Sequence, residues 1–391
     1  MGRLLDVPDL LPLDCKKHDG RKPHMIRFLR VETALVLGFL ATAFAYGPGL
    51  ALFSGSFSMP LYAILFGVLF CVMLLLSFSA VRHADHLAHI LGEPYGTLIL
   101  TIAVITIEVA LISAIMLGGD AAPTLARDTM MAVLMIVMNG IVGIVLLVGG
   151  FYHKEQEFNL RGAGAFLTVL VTLATITLIL PNFTQSTPDP SLNTIQAELF
   201  ALITILLYVT FLAIQTVRHR SFFIQPGEEA VDHGHHDISG SRSVPYHAIL
   251  LVLTLVPAVL LSKKLAVLVD FGLGTWQLPA AIGGVMIACL VLAPEALAAF
   301  HATRENNLQR AVNICLGSAL ATIGLTVPAA LAISIYGNVP IQLGIGRTDM
   351  TLLVLTMFVS ALTFGGSRTN MLQGAVHLVI FIVYIVLIFN P

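Results

Sequence analysis

Two glutamates are the residues of this sequence whose type and setting promise chemistry. Glu108 is the only charged residue in the stretch 97–117, TLILTIAVITIEVALISAIML, and Glu295 is the only one in the stretch 278–300. At ~1.5 Å of helix rise per residue, about 20 apolar residues cross a hydrocarbon layer of roughly 30 Å. Glu108, near the centre of its stretch, then lies close to the bilayer midplane. An ionised carboxylate at that depth is expensive, so such residues usually line an ion or proton path. The bland reading is a protonated, hydrogen-bonded packing residue. Two carboxylates can neutralise one divalent cation. When the cation leaves, two buried anions would face each other in a medium that solvates neither, and protons take its place. Exchange of cations for protons is the chemistry this pair predicts, provided the fold brings the two acids together.

The elements that must position them are transmembrane helices. The chain has 391 residues, of which 57% are hydrophobic and 11% charged, with a mean hydropathy of +0.91. Soluble domains carry about 25% charged residues, so this composition reads as a polytopic, all-α membrane protein set in the lipid bilayer. The formal net charge of −2 gives no electrostatic footprint for a nucleic acid. Cys15, Cys71, Cys289 and Cys315 form no CxxC pair and read as small packing residues rather than metal ligands or disulfides. The first thirty residues are charged and lack an apolar run, so no cleavable signal peptide is expected.

Hydropathy predicts about eleven spans, near 32–53, 58–80, 97–118, 129–150, 163–181, 196–217, 246–262, 278–300, 309–334, 349–365 and 372–389. With the first segment inside, sixteen Lys and Arg fall on inner segments. The other four, Arg127, Lys263, Lys264 and Arg347, fall on outer ones. That bias fits the positive-inside rule and places the N-terminus in the cytoplasm. The expected divisions are a cytoplasmic tail at 1–31, an extra transmembrane helix at 32–57, a five-helix repeat at 58–217, a cytoplasmic acidic and His-rich linker at 218–245, and a second five-helix repeat at 246–391.

Three polar stretches carry competing readings. VRHADHLAHILGEPYG, after the second span, holds His83, Asp85, His86 and His89 at helical spacing. A metal site is one reading; an interfacial amphipathic helix with its polar face toward water and headgroups is the expected one. The linker sequence EEAVDHGHHDISGS could bind cations loosely, but a solvated tether is expected. Gln373 and His377 in the last span could serve a proton path, but helix packing is expected.

The spans around Glu108 and Glu295 run in opposite directions, as in inverted-repeat transporters whose ion site lies at the repeat interface. After Glu108 come a hydrophilic turn, Arg127 and MIVMNGIVGIVL; after Glu295 come a hydrophilic turn, Arg310 and NICLGSALATIGL. Asn139-Gly140 and Gly317-Ser318 are each a small-plus-polar pair in mid-span. They let helices approach and offer oxygens that can coordinate an ion or hydrogen-bond. Pro294 is expected to kink or break its helix and free carbonyls.

The segments RHAD (82–85), LAHILGEPYGTLIL (87–100), IEVALISA (107–114), GDAAPTLARDT (119–129), PEALAA (294–299), NNLQRAVN (306–313), GSALATIGLTVP (317–328) and GSRTNMLQGAVHL (366–378) resemble the cation/calcium exchanger superfamily. The likeness is closest to its bacterial calcium/proton, sodium–potassium/proton antiporter branch and runs from about residue 80 to the C-terminus. The resemblance implies a bacterial inner-membrane antiporter built of two inverted repeats, with no cofactor and with Ca²⁺, Na⁺, K⁺ and H⁺ as substrates. It implies that Glu108 and Glu295 are the paired cation and proton ligands, supported by Asn139 and Ser318. Fungal and plant calcium/proton exchangers typically carry Gly-Asn three to four residues before each acid. Here those places hold Val104-Ile105 and Val291-Leu292. Ca²⁺ takes six to eight oxygens, so the loss of two amides predicts weaker calcium binding or acceptance of Na⁺ and K⁺. A predominantly monovalent antiporter is therefore the alternative. A cation channel is a remoter class, discriminated by flux uncoupled from protons. An enzyme is the third, and the sequence lacks HExxH and GxGD motifs and any Ser–His arrangement in the spans.

Overall fold

The computed structural model describes residues 32–53, 57–91, 123–227 and 244–390, together with residues 103, 105–110, 112–113 and 116 of the Glu108 stretch. The tail before residue 32 and the acidic, His-rich part of the linker at 228–243 lie outside the described residues.

The chain is nearly all helical. Helices α1 (Thr33–Tyr46) and α2 (Met59–Leu91) precede the Glu108 segment, whose described residues are helical. Next, α3 (Leu125–Met135) passes through a π-helical turn (Ile136–Ile141) into α4 (Val142–His153). Helix α5 (Leu160–Ala174) and α6 (Thr194–Ala213) close the first half. The second half holds α7 (Val244–Trp276), α8 (Ala280–Arg304) and α9 (Leu308–Ala321). Helix α9 runs through a π turn (Thr322–Thr326) into α10 (Val327–Gly337). Helices α11 (Arg347–Thr363) and α12 (Met371–Phe389) end the chain.

Among the described residues, eight helical runs are long and apolar enough to cross a membrane. Each of the eleven expected stretches meets helix, but three are not among those eight. Helix α1 has 14 residues, α11 has 17, and the Glu108 stretch is described only in part. Several ends differ from the hydropathy reading for a physical reason: capping and breaking residues, not apolarity, stop a helix. Asparagine side chains at Asn159, Asn193, Asn307 and Asn370 accept a bond from a backbone N–H of the first turn that follows. Gln373 completes the capping box of α12 by accepting from the Asn370 N–H at 2.9 Å, a structural task at the helix start.

Two sequence readings are corrected by helix length. Helices α2 and α7 each have 33 residues. At ~1.5 Å per residue each is about 50 Å long, well beyond the hydrocarbon layer. Lys263 and Lys264, expected in an outer connection, therefore stand inside α7. The Lys264 ammonium lies 4.7 Å from the Tyr46 ring centroid and 5.2 Å from that of Phe53. The histidine segment likewise is no separate interfacial helix; it is the C-terminal end of α2. His83 is buried, with Nε2 3.1 Å from Glu32 Oε2 and Nδ1 3.1 Å from His247 Nδ1. Glu32 also accepts from Arg82 at 2.6 Å and from the Tyr246 hydroxyl at 3.0 Å. His86 is exposed, and the His89 side chain lies outside the described residues. No group of three or more His, Cys, Asp or Glu among the described residues is placed to hold a metal.

The two most buried spans are Leu125–His153 and Leu308–Gly337, each of which carries a π turn in mid-span. Helix α6 is the opposite case, with Ile195, Leu199, Leu202, Leu206 and Val209 on its outside. An apolar outer face of this kind suits lipid rather than water. At one end, strands β1 (Glu155–Glu157) and β2 (Arg368–Asn370) pair antiparallel, with Glu155 opposite Asn370 and Glu157 opposite Arg368. Arg368 is ion-paired to Glu157 there, which ties the end of α4 to the start of α12.

Candidate functional site

The centre of the protein is where the acid segment of each half meets the second long run of the other. Helix α8, which carries Glu295, packs on α3, α4 and the π turn Ile136–Ile141 of the first half. The Glu108 segment reaches into the second half by hydrogen bonds. Thr322 Oγ1 donates to Glu108 Oε2 at 3.0 Å, and Thr326 Oγ1 donates to Glu108 Oε1 at 3.2 Å. Both threonines belong to the π turn between α9 and α10 and stand four residues apart, on one face. Glu108 is 2% exposed, so a full set of partners is what its burial demands.

Glu295 is held differently. It is half-buried, and Ser318 Oγ donates to its Oε2 at 2.5 Å. Pro294 does not break α8, which runs without interruption from Ala280 to Arg304. The irregular backbone beside the acids is in the π turns Ile136–Ile141 and Thr322–Thr326 instead; two further π turns, Thr175–Ile179 and Ile214–Arg218, follow α5 and α6. The Glu108 carboxylate is within electrostatic reach of Glu295, so the fold brings the two lone acids into one region.

Of the supporting residues read from sequence, Ser318 bonds its acid directly. Asn139 is fully buried, and its hydrogen-bond partners are Thr356, Met135 and His377 rather than a carboxylate. Thr322 and Thr326 were not singled out by sequence reasoning, although both lie in the segment GSALATIGLTVP. A signal was available in the register. Asn139 stands fourteen residues after Leu125 and Thr322 fourteen after Leu308, each counted from the first residue of its helix. Counted from the helix starts, Thr322 is thus a further polar position in register with Asn139, beside the Gly317-Ser318 pairing read from sequence.

The donors gathered here are two carboxylates and three hydroxyls, all oxygen. Hard cations such as Ca²⁺ and the alkali ions prefer that set, whereas Zn²⁺ draws on nitrogen and sulfur. Two acids close together in a buried region also make a pair that can hold protons when no cation is present.

Known proteins share both the sequence and the fold of this chain. The chain is 42% identical over 315 residues to the sodium-potassium/proton antiporter ChaA of Escherichia coli (strain K12), covering 80% of this chain and 85% of that one. In fold it resembles native YfkE, with a TM-score of 0.69 and 17% identity, covering 93% of this chain and 99% of the other. It also resembles the H⁺/Ca²⁺ exchanger CAX, with a TM-score of 0.62 and 14% identity, covering 93% and 88%. The profile of the sodium/calcium exchanger protein family matches residues 61–217 and 246–390, which takes in both acids, the two π turns beside them and the long helices of each half, and this chain belongs to that family.

Proposed function

We propose that this chain is a secondary cation/proton antiporter that exports Ca²⁺, and Na⁺ or K⁺, across the bacterial inner membrane by alternating access. One observation carries the reading: Glu108, the lone charge of its apolar stretch, is bonded to Thr322 and Thr326 of the other half, within electrostatic reach of Glu295. Glu108 and Glu295 hold the cation and, in its absence, the protons. Ser318, Thr322 and Thr326 supply neutral oxygens, and Asn139 supports the site from the facing π turn. No cofactor enters the reaction, and the cations and H⁺ are its substrates.

The two halves act as inverted five-helix repeats, at 58–217 and 246–391, with the site between them and α1 outside the repeat. The charge bias of the sequence supports an N-terminus and linker inside. Labelling of a cysteine at position 235 from the outer face would overturn that orientation.

Ion preference has a second reading. The 42% identity to a sodium-potassium/proton antiporter, and the apolar Val104-Ile105 and Val291-Leu292 before the acids, favour a predominantly monovalent exchanger. Everted membrane vesicles, energised to an acidic interior, decide between them. Added Ca²⁺, Na⁺ and K⁺, each alone, should dissipate the proton gradient, and the ordering of half-saturating concentrations gives the preference. Cation flux with no proton movement would mark a channel and end the antiport reading.

A further inference from the structure

The chain from Asn139 to His377 has a direction that the hydrogen-bond chemistry fixes. Asn139 sits in the middle of the π turn Ile136–Ile141, every residue of which is buried. A buried amide is costly unless each of its groups is satisfied. Its Nδ2 donates to Thr356 Oγ1 at 2.8 Å and faces Met135 Sδ at 3.5 Å. A thioether only accepts, so the atom facing it is the amide nitrogen, and the oxygen faces the imidazole. Asn139 Oδ1 is 3.1 Å from His377 Nδ1. An amide oxygen cannot donate, so Nδ1 carries the hydrogen. In the neutral ring Nε2 then accepts from Thr363 Oγ1 at 3.0 Å. Donors therefore run one way, from Thr363 to His377 to Asn139 to Thr356, and on to Met135 Sδ at 3.7 Å. Asn139, Thr356 and His377 are completely buried.

We infer that His377 is a positioning residue. Its ring donates to the Asn139 amide and to the backbone of Met138, and so ties the π turn Ile136–Ile141 against α11 and α12. The inference deepens the antiport reading and rests on it, because that π turn packs on the helix that carries Glu295. A π turn places an extra residue in the helix and disturbs the backbone ladder, so its geometry depends on side chains that pin it. The tie comes from a helix more than 200 residues away in sequence. A proton relay through the ring is chemically poor here. A proton leaving Nδ1 would have to pass to an amide oxygen, which is a very weak base, and no carboxylate is hydrogen-bonded in this chain of donors.

Two conservative variants separate the atoms of the ring. In His377→Asn the side-chain Nδ2 takes the place of Nδ1, keeps the donor to Asn139 and removes any titratable proton. In His377→Gln the amide reaches toward the place of Nε2, keeps Thr363 and leaves Asn139 Oδ1 without its donor. His377→Leu removes both. Half-saturating cation concentration and maximal rate are read from cation-driven proton movement in everted vesicles, using the most effective cation. His377→Asn should stay within about twofold of wild type, while the Gln and Leu variants raise half-saturation about tenfold, the loss expected for one bond of this kind. Maximal rates should stay within about threefold. Asn139→Ala should raise half-saturation no more than His377→Leu does, because the ring keeps its bond to the Met138 backbone, and the double variant should be no worse than His377→Leu.

A His377→Asn protein as inactive as His377→Leu would make the ring a proton carrier and overturn the inference. A His377→Leu protein with wild-type half-saturation, whether or not its thermal stability falls, would make the ring mere packing and overturn it equally. Failure of the antiport reading looks different, since the wild-type vesicles would then show no cation-driven proton movement. Cation binding to the purified protein, read by calorimetry, would then test the same ordering of variants.

Discussion

The surroundings of Glu108 and Glu295 differ more than two lone glutamates in repeat-related helices would suggest. Glu108 is 2% exposed, and each of its carboxylate oxygens takes a bond from a threonine in the opposite half. Glu295 is half-buried, and its bond comes from Ser318, one helix onward in the same half. A carboxylate satisfied from across the interface is released only when the halves shift. One satisfied from its own half travels with that half. In this structure Glu108 is thus tied across the two halves and Glu295 within its own. The two π turns beside the acids differ in the same sense: the one with Thr322 and Thr326 bonds an acid, while the one with Asn139 is tied to α11 and α12.

The sharpest test of the comparison asks whether two unlike settings serve one site. Glu108→Gln and Glu295→Gln keep shape and remove the anion, and both proteins should fold because a neutral amide is cheaper than a carboxylate at this depth. Each should lose cation-driven proton movement by at least about a hundredfold, the scale of losing one essential charge. Near-normal exchange in either variant would mean that a single acid carries both ions.

A smaller effect separates the two surroundings. Hydrogen bonds to charged groups contribute roughly 1.5–3 kcal/mol. Thr322→Ala and Thr326→Ala should each raise the half-saturating cation concentration about tenfold, and Ser318→Ala about threefold, because the threonine bonds also tie the two halves together and the Ser318 bond does not. Maximal rates should be largely kept. The reverse order, with Ser318→Ala the more severe, would place the tight end of the site at Glu295.

The smallest expected effect is a control on the helix that carries Thr356 and Thr363. Ser360 lies on α11 between Thr356 and Thr363, and its hydroxyl is buried with no hydrogen-bond partner among the described residues. An unmade bond of this kind costs about 1–3 kcal/mol, so Ser360→Ala should raise thermal stability in detergent by ~1 kcal/mol and leave cation dependence unchanged. A shift in half-saturation would show that this hydroxyl belongs to the site.

Much of the architecture was legible because it follows from solvent. A chain in lipid must satisfy its backbone within helices, so apolar runs announce themselves, and a lone charge inside one stands out. Glu108, Glu295 and the succession of helices were readable for that reason. Helix ends were read less well, since α2 and α7 continue beyond the hydrocarbon as polar or mixed helix. His83 on α2 illustrates the difficulty: at helical spacing it suggested a wet face, yet Glu32 and His247, 51 and 164 residues away in sequence, enclose it.

The sequence by itself determined the solvent of this protein, its helical class and the two lone acids inside its apolar stretches, because burial in lipid acts on residue type without regard to partners. Tertiary structure alone decided which neutral groups meet those acids. Hydroxyls and amides are common in apolar helices and carry no charge to mark them. Thr322 and Thr326 became partners of Glu108, and Asn139 became bound to His377, only when helices about 200 residues apart in the chain came within hydrogen-bonding distance. A hydrogen bond depends on direction to within tens of degrees and on distance to within a few tenths of an ångström. Neither is fixed by periodicity along one helix; both are set by how the two halves pack.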